Sequence, residues 1–267
     1  MKLATIPTLD GRTRGVRVHD EQLVDLGAAD LGQFLHVPGW EERPAAATEP
    51  ATQVRGAAYA PIVPRPGKIV CVGLNYRAPI LEMSRDLLEF PTLFSKYAET
   101  LVGANDDVVV PPETDALDWE CELAVFIGAP VRRARGADAE RAIAGFAVLN
   151  DITCRDWQFR TREWLQGKNW EATTPLGPYL VTPDELPGGV RPALDISTRI
   201  DGGPCRRTPP ATCSSIPWTR RVRLHDGHPA TGRRDRHRHA GRRRPCAHAA
   251  AQSPAGTGPH HRHRWPR

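Results

Sequence analysis

Three carboxylates next to apolar strands are the residues of this chain best suited to chemistry. Glu120 and Glu122 lie in the stretch Leu117–Leu123, and Asp151 follows the apolar run Ala144–Leu149. Side chains alternate along a strand, so Glu120 and Glu122 are expected to project to the same side. Burying two such carboxylates costs on the order of several kcal/mol per ion unless a cation compensates. Ligands made only of oxygen suit Mg²⁺, Mn²⁺ or Ca²⁺ better than Zn²⁺ or copper.

A simpler interpretation is a solvated strand face with two ordinary glutamates, and the short Glu-x-Glu pattern alone does not exclude it. Asp151 favours the metal interpretation, because functional groups often lie just beyond strand ends, where a rigid scaffold directs them into a pocket. Arg155 and Lys168 follow it in the chain. Either could lie on the surface, but Arg binds anions as a two-pronged fork and Lys as a point charge, so together they could hold an anionic substrate.

Six short blocks of sequence extend these observations over a larger part of the chain. They are Lys68–Arg77, Phe90–Lys96, Leu117–Leu123, Asn150–Gln158, Gly167–Lys168 and Thr174–Pro178. In this order and at this spacing, residues 66–203 resemble the fumarylacetoacetate hydrolase family. The resemblance implies a roll of mixed β-sheets, and the many short strands and few helices also predict a mainly β fold of the α+β type.

The resemblance also implies roles for individual residues. Those implied to bind a divalent metal are Glu120, Glu122 and Asp151. Those implied to contact the substrate are Tyr76, Arg155, Gln158 and Lys168. The implied cofactor is Mg²⁺ or Mn²⁺, with Ca²⁺ as an alternative, and the implied substrate is a small acylpyruvate-type 2-oxo acid chelated through its keto and carboxylate oxygens.

The implied reaction is hydrolysis of a C–C bond, with Lys168 and the metal stabilising the enolate that leaves. Family members position the water with a His-x-x-Glu pair. Here Glu82 is present as the residue that assists water, but Pro79 occupies the histidine position. General-base catalysis contributes about 10²–10⁴-fold, and proline accepts no proton. Decarboxylation or keto–enol isomerisation is therefore an alternative, and an inactive remnant that only binds metal is another.

The composition changes abruptly at Gly203. Residues 1–203 carry 21 Lys and Arg against 29 Asp and Glu, whereas residues 204–267 carry 15 Arg, 2 Asp and neither Lys nor Glu. The tail also holds 8 of the 10 His and 9 of the 26 Pro. Because it offers little apolar surface to offset chain entropy, we expect it to be disordered.

Three interpretations of this basic tail are open. Its arginines could bind nucleic-acid phosphates, and its cysteines could bind zinc, although Cys205, Cys213 and Cys246 lack paired spacing. The third interpretation is a frame shift, since Arg, Pro, Ala, Gly and His runs are typical of a GC-rich gene read out of frame. Regrouping the codons permitted for residues 232–244 by one base allows GDVIATGTPGGVG, which resembles a C-terminal block of the family. This favours the frame shift over a nucleic-acid partner.

Three segments are predicted: a small N-terminal domain at 1–58, a catalytic domain at 59–203 that is incomplete at its C-terminal end, and the tail at 204–267. Within the first, strands at Lys2–Ile6 and Gly15–Val18 should form a hairpin, followed by a short helix at Leu31–Leu35. Residues 117–127 are predicted to form one buried strand. A short helix is expected near residues 138–144, before the strand that leads to Asp151.

The N-terminus contains no apolar run of about 7–15 residues, so neither a signal peptide nor a membrane span is expected. Cys71, Cys121 and Cys154 lie in core-like strands without disulfide spacing, which is typical of a reducing compartment such as the cytoplasm. Buried packing is the expected role of these cysteines, rather than nucleophilic catalysis. The resemblance further implies a homodimer.

Overall fold

The structure is a computed structural model that describes residues 1–19, 22–43, 52–53, 58–73, 90–200, 203–208 and 262–263. The strands are β1 (Lys2–Pro7), β2 (Thr13–His19), β3 (Gln22–Asp25), β4 (Thr52–Gln53), β5 (Ile69–Gly73), β6 (Thr92–Lys96), β7 (Leu101–Gly103), β8 (Val108–Val109), β9 (Leu117–Asp118), β10 (Glu122–Ile127), β11 (Ile143–Leu149), β12 (Thr153–Cys154), β13 (Thr174–Leu176), β14 (Leu180–Val181), β15 (Ile196–Ile200), β16 (Gly203–Thr208) and β17 (Arg262–His263). The α-helices are α1 (Leu31–Leu35), α2 (Ala137–Arg141), α3 (Arg155–Gln158) and α4 (Leu165–Lys168). Two 3-10 helices cover Ala98–Thr100 and Pro183–Glu185.

One mixed sheet of nine strands dominates the fold. Its order is β4-β3-β2-β1-β14-β11-β13-β7, and β10 pairs with β11 outside this path. The β13–β7 pair is parallel, whereas the other pairs of the sheet are antiparallel. This confirms the predicted mainly β architecture with a mixed sheet. Because β1 pairs with β14, the N-terminal hairpin belongs to the same sheet as the later strands, and the domain boundary at residue 58 stays a prediction.

The N-terminal elements form where the sequence predicts them. β1 and β2 pair as an antiparallel hairpin, and α1 begins and ends at the predicted residues. The Asp30 side chain caps this helix by accepting a hydrogen bond of 2.8 Å from the backbone N–H of Gln33. Leu31, Phe34 and Leu35 follow the helical repeat and are buried in the main core against the sheet.

The single strand predicted over residues 117–127 is wrong, because the chain changes sheets halfway. β9 pairs with β12, and β10 starts only at Glu122 and pairs with β11. The backbone N–H of Glu120 donates to Asn150 Oδ1 at 2.9 Å instead of joining a strand ladder. The antiparallel pair β10–β11 thus continues as the pair β9–β12 after a break of three residues on each strand. Glu120 and Asp151 are the middle residues of the two breaks.

Several sequence predictions fall outside the described residues. Tyr76, Pro79 and Glu82 are among them, as is the tail apart from residues 204–208 and 262–263. The frame shift and the expected disorder of the tail therefore stay predictions. Within the described part of the chain, no helix is long and apolar enough to cross a membrane.

Candidate active site

Asp151 is a buried carboxylate held by two lysines. Its Oδ1 accepts a hydrogen bond of 2.6 Å from Lys96 Nζ, and its Oδ2 accepts one of 2.6 Å from Lys168 Nζ. The Lys96 and Lys168 side chains are 0 % and 2 % exposed. Lys96 lies at the end of β6 and Lys168 at the end of α4, so two separate elements bring their charges to the turn after β11.

Glu120, in the break between β9 and β10, also belongs to this cluster. Its Oε1 lies 3.1 Å from Lys168 Nζ and 2.7 Å from Arg155 Nη2. Arg155 begins α3, and its Nε donates to Asp118 Oδ2 at 2.8 Å. Its Nη1 donates to the buried Gln158 Oε1 at 2.9 Å. Three side chains of the protein, Glu120, Asp118 and Gln158, therefore fix the guanidinium in place.

Neighbouring groups of opposite charge stabilise the ionised forms of Asp151 and Arg155. Burial raises the pKa of the Asp151 carboxyl, but the ammonium groups of Lys96 and Lys168 outweigh burial and leave that pKa below its ordinary value. Burial lowers the pKa of Arg155, but Glu120 and Asp118 outweigh it and raise that pKa above its ordinary value. Asp151 is consequently a carboxylate at neutral pH, which is the form that binds a cation.

The position of Lys168 Nζ shows where a cation fits between two carboxylates. This nitrogen lies 2.6 Å from Asp151 Oδ2 and 3.1 Å from Glu120 Oε1. Mg²⁺ is commonly bound through one or two carboxylates and keeps several of its waters. The oxygens of Glu120 and Asp151 therefore form a donor set that fits such an ion.

Glu122 is not part of a ready-made set of three ligands. It starts β10, opposite Leu149. Among the residues that the structure describes, no group of three acidic, histidine or cysteine side chains is arranged to hold a metal ion. The structure thus brings Glu120 and Asp151 together, while metal binding by the full predicted set with Glu122 stays a prediction.

Two members of the cluster were given no role by the sequence. Lys96 lies within one of the matching blocks, and Asp118 precedes Glu120, the first residue of the Glu-x-Glu pattern, by two positions. The local sequence does not distinguish them from surface residues, since a lysine that ends an apolar strand and an aspartate beside two glutamates also occur on ordinary surfaces. Only the folded structure shows that Lys96 contacts Asp151 and that Asp118 contacts Arg155.

A cavity of about 200 Å³ borders Glu120. The residues that line it include Asn150, Gly177 and Arg199. Asp151, Lys168 and Arg155 do not line it, so the cavity adjoins the cluster at Glu120.

Replacing Gly167 by alanine should disturb the packing that positions Lys168. A Cβ atom at Gly167 would lie 2.6 Å from the backbone of Gln158, so α4 would have to move away from α3. We expect Gly167→Ala to lower the free energy of unfolding by about 1–3 kcal/mol in urea denaturation. Gln166→Ala, on the exposed side of the same helix, should change it by less than about 0.5 kcal/mol. Equal stabilities of the two variants would contradict this packing.

The cysteines near the cluster should be unreactive in the folded protein. Burial raises the pKa of the Cys71 thiol to about 12, helped by the charge of Asp151, and burial raises that of Cys154 to about 11. At pH 8 we expect iodoacetamide to leave both unmodified, whereas both should react in urea, where the pKa returns to about 8.5. Mass spectrometry of the peptides provides the measurement, and alkylation of native Cys71, which is half-buried, at the urea rate would contradict the raised pKa.

Comparison with known sequences identifies relatives for the central part of the chain. The family profile described as "Fumarylacetoacetate (FAA) hydrolase C-terminal" matches residues 68–216. The human protein named oxaloacetate tautomerase FAHD2A, mitochondrial, is 42 % identical over 142 residues, which cover 52 % of this chain and 45 % of that protein. The chain thus spans about half the length of the curated relatives it matches.

Solved structures share the fold. The 5-carboxymethyl-2-hydroxymuconate delta-isomerase from Mycobacterium smegmatis superposes with a TM-score of 0.65 at 23 % identity, covering 83 % of each chain. A fumarylacetoacetate hydrolase from Exiguobacterium antarcticum superposes with a TM-score of 0.62 at 24 % identity, covering 79 % of this chain and 76 % of that one. At these identities the superpositions support the fold alone. The family profile, however, matches more than half of the chain, and the protein therefore belongs to the fumarylacetoacetate hydrolase family.

Proposed function

We propose that this protein is a divalent-metal-dependent enzyme that interconverts the keto and enol forms of a small 2-oxo acid such as oxaloacetate. The observation that carries the proposal is the placement of Lys168 Nζ between Asp151 and Glu120, at 2.6 Å and 3.1 Å. It puts a cation, two carboxylates and the fixed Arg155 guanidinium in one buried cluster. The names of the mammalian relatives support the choice of reaction and substrate.

The proposed metal site is formed by Glu120 and Asp151, with Glu122 as the further predicted ligand. A bound Mg²⁺ or Mn²⁺ would act as a Lewis acid toward the 2-oxo oxygen of the substrate. Lys168 would donate a hydrogen bond to the same developing negative charge. Arg155, held by Asp118 and Gln158, would bind the substrate carboxylate as a two-pronged fork.

Pro79 supports tautomerisation over the hydrolysis that the sequence first predicts. Hydrolysis needs a base to activate water, and the position of the family's histidine carries no proton acceptor in this chain. Tautomerisation needs a stabilised enolate and no attacking water. C–C hydrolysis of an acylpyruvate remains the second candidate, because Glu82, the other half of the predicted water-binding pair, is present.

Glu120→Gln tests the proposal directly. It removes one carboxylate of the proposed metal site and the anionic partner of Arg155 and Lys168. We expect the enol-to-keto conversion of oxaloacetate, followed by ultraviolet absorbance with Mg²⁺ present, to slow by about 10²–10³-fold. Glu163→Gln, at an exposed position outside the cluster, should leave the rate unchanged. Full metal-dependent turnover by Glu120→Gln would refute the proposed site.

Two further properties belong to the proposal. We expect a homodimer, as the family resemblance implies, which sedimentation analysis of the full chain can measure. The sequence also predicts the cytoplasm, whereas the names of the mammalian relatives place those proteins in mitochondria. Fluorescent tagging in the source cell distinguishes these locations.

A further inference from the structure

The two buried lysines contact Asp151 in different ways. Lys96 Nζ lies 2.6 Å from Asp151 Oδ1 and 3.4 Å from the backbone oxygen of Ile152, so its second partner is a fixed part of the main chain. Lys168 Nζ instead bridges Asp151 Oδ2 and Glu120 Oε1, the two carboxylates that fit a metal ion. Only Lys168 therefore stands where a cation bound to both carboxylates would have to be.

Three cationic side chains already pair with carboxylates of the cluster. The cations are Lys96, Lys168 and Arg155, and their partners are Asp118, Glu120 and Asp151. A divalent ion would add two positive charges to this buried group, and metal–oxygen distances of about 2.0–2.6 Å leave no room for an ammonium between the same two oxygens. Entry of the ion consequently requires one cation to leave.

We infer that Lys168 and a divalent cation bind alternately between Glu120 and Asp151, whereas Lys96 is a positioning residue that holds Asp151 in both states. When the metal binds, the Lys168 ammonium turns away from the two carboxylates. A buried ammonium without an anion is costly, so the released group is available to the carboxylate or the enolate oxygen of the substrate. This inference rests on the metal site of the proposed function and adds an order of events, in which metal precedes the anionic ligand.

Metal affinity in two matched variants tests the exchange without turnover. Lys168→Met and Lys96→Met each remove one buried positive charge at 2.6 Å from Asp151, so the electrostatic effect at this carboxylate should be similar. Only Lys168→Met removes a competitor for the site. We expect it to tighten Mn²⁺ binding to the full chain, measured by calorimetry, about tenfold more than Lys96→Met does. Equal affinities of the two variants would overturn the exchange.

The wild-type chain provides a second measurement that does not depend on how the variants fold. Reductive methylation followed by mass spectrometry reports how accessible each lysine is. We expect Mg²⁺ to accelerate methylation of Lys168 several-fold and to leave Lys96 protected. Unchanged protection of Lys168 at saturating Mg²⁺ would overturn the inference.

These outcomes separate the inference from the proposed function. If the wild type binds neither Mg²⁺ nor Mn²⁺, the proposed metal-dependent function fails and the exchange fails with it. If the wild type binds metal but the two variants have equal affinities, the exchange alone is wrong.

Discussion

Asp151→Asn should lower the free energy of unfolding by about 3–5 kcal/mol, because it leaves two buried ammonium groups without their shared carboxylate. Asparagine keeps the shape of the side chain but loses its charge. The Lys96 side chain is 0 % exposed and has only the Ile152 carbonyl oxygen as its other partner among the described residues. The same change should abolish metal-dependent turnover, since it removes one of the two converging carboxylates.

Urea denaturation at pH 7 measures this effect, and Asp138→Asn is the matched control. Asp138 also pairs with a cation, Arg141, but the two side chains are 70 % and 71 % exposed. Exposed ion pairs contribute less than about 1 kcal/mol, so the control should stay near the parent. A loss for Asp151→Asn no larger than that of the control would show that the buried cluster does not stabilise the fold.

The cost of Asp151→Asn should also depend on pH. The pKa of Asp151 is lowered in the folded state, so its carboxylate contributes stability above the unfolded pKa of about 3.9. That contribution is lost as the pH falls through the folded value. The difference in unfolding free energy between parent and variant should therefore be constant from pH 7 to about 5 and shrink in stronger acid.

The secondary-structure elements that depend on the residue pattern of a short segment were predictable from the sequence. The β1–β2 hairpin follows from two short apolar stretches that lie close together in the chain, and α1 follows from an Asp30 cap and an apolar stripe at helical spacing. The short helix α2 starts one residue before its predicted start and ends three residues before its predicted end. These features depend on a few neighbouring residues, so no knowledge of the tertiary fold is needed to find them.

The geometry of the cluster was only partly predictable. Glu120 and Asp151 were found as candidate ligands, but they were placed on a continuous strand and at a simple strand end. At the interruption over residues 119–121, the Glu120 N–H donates to the side chain of Asn150, the residue that follows β11. Lys96 enters from β6, 55 positions before Asp151. Contacts between such distant segments leave no periodic trace in the sequence.

Pro79→His should raise C–C hydrolysis of an acylpyruvate by about 10²–10⁴-fold, the usual contribution of a general base. The new imidazole would stand three residues before Glu82 and restore the family's His-x-x-Glu spacing. Histidine titrates near neutral pH, so it can take a proton from water and release it within one cycle. Tautomerisation of oxaloacetate should change little, because that reaction uses no attacking water.

Pro79→Ala separates the added base from the removed proline ring. Both variants free the backbone at this position, but only histidine accepts a proton, so the alanine variant should keep the low hydrolytic rate of the parent. Both rates are measured on the full chain with saturating Mg²⁺, with product formation followed by chromatography. Equal hydrolysis by the histidine and alanine variants would mean that the missing base is not what limits this reaction. A parent that already hydrolyses acylpyruvate as fast as Pro79→His would instead favour hydrolysis over tautomerisation as the function of this protein.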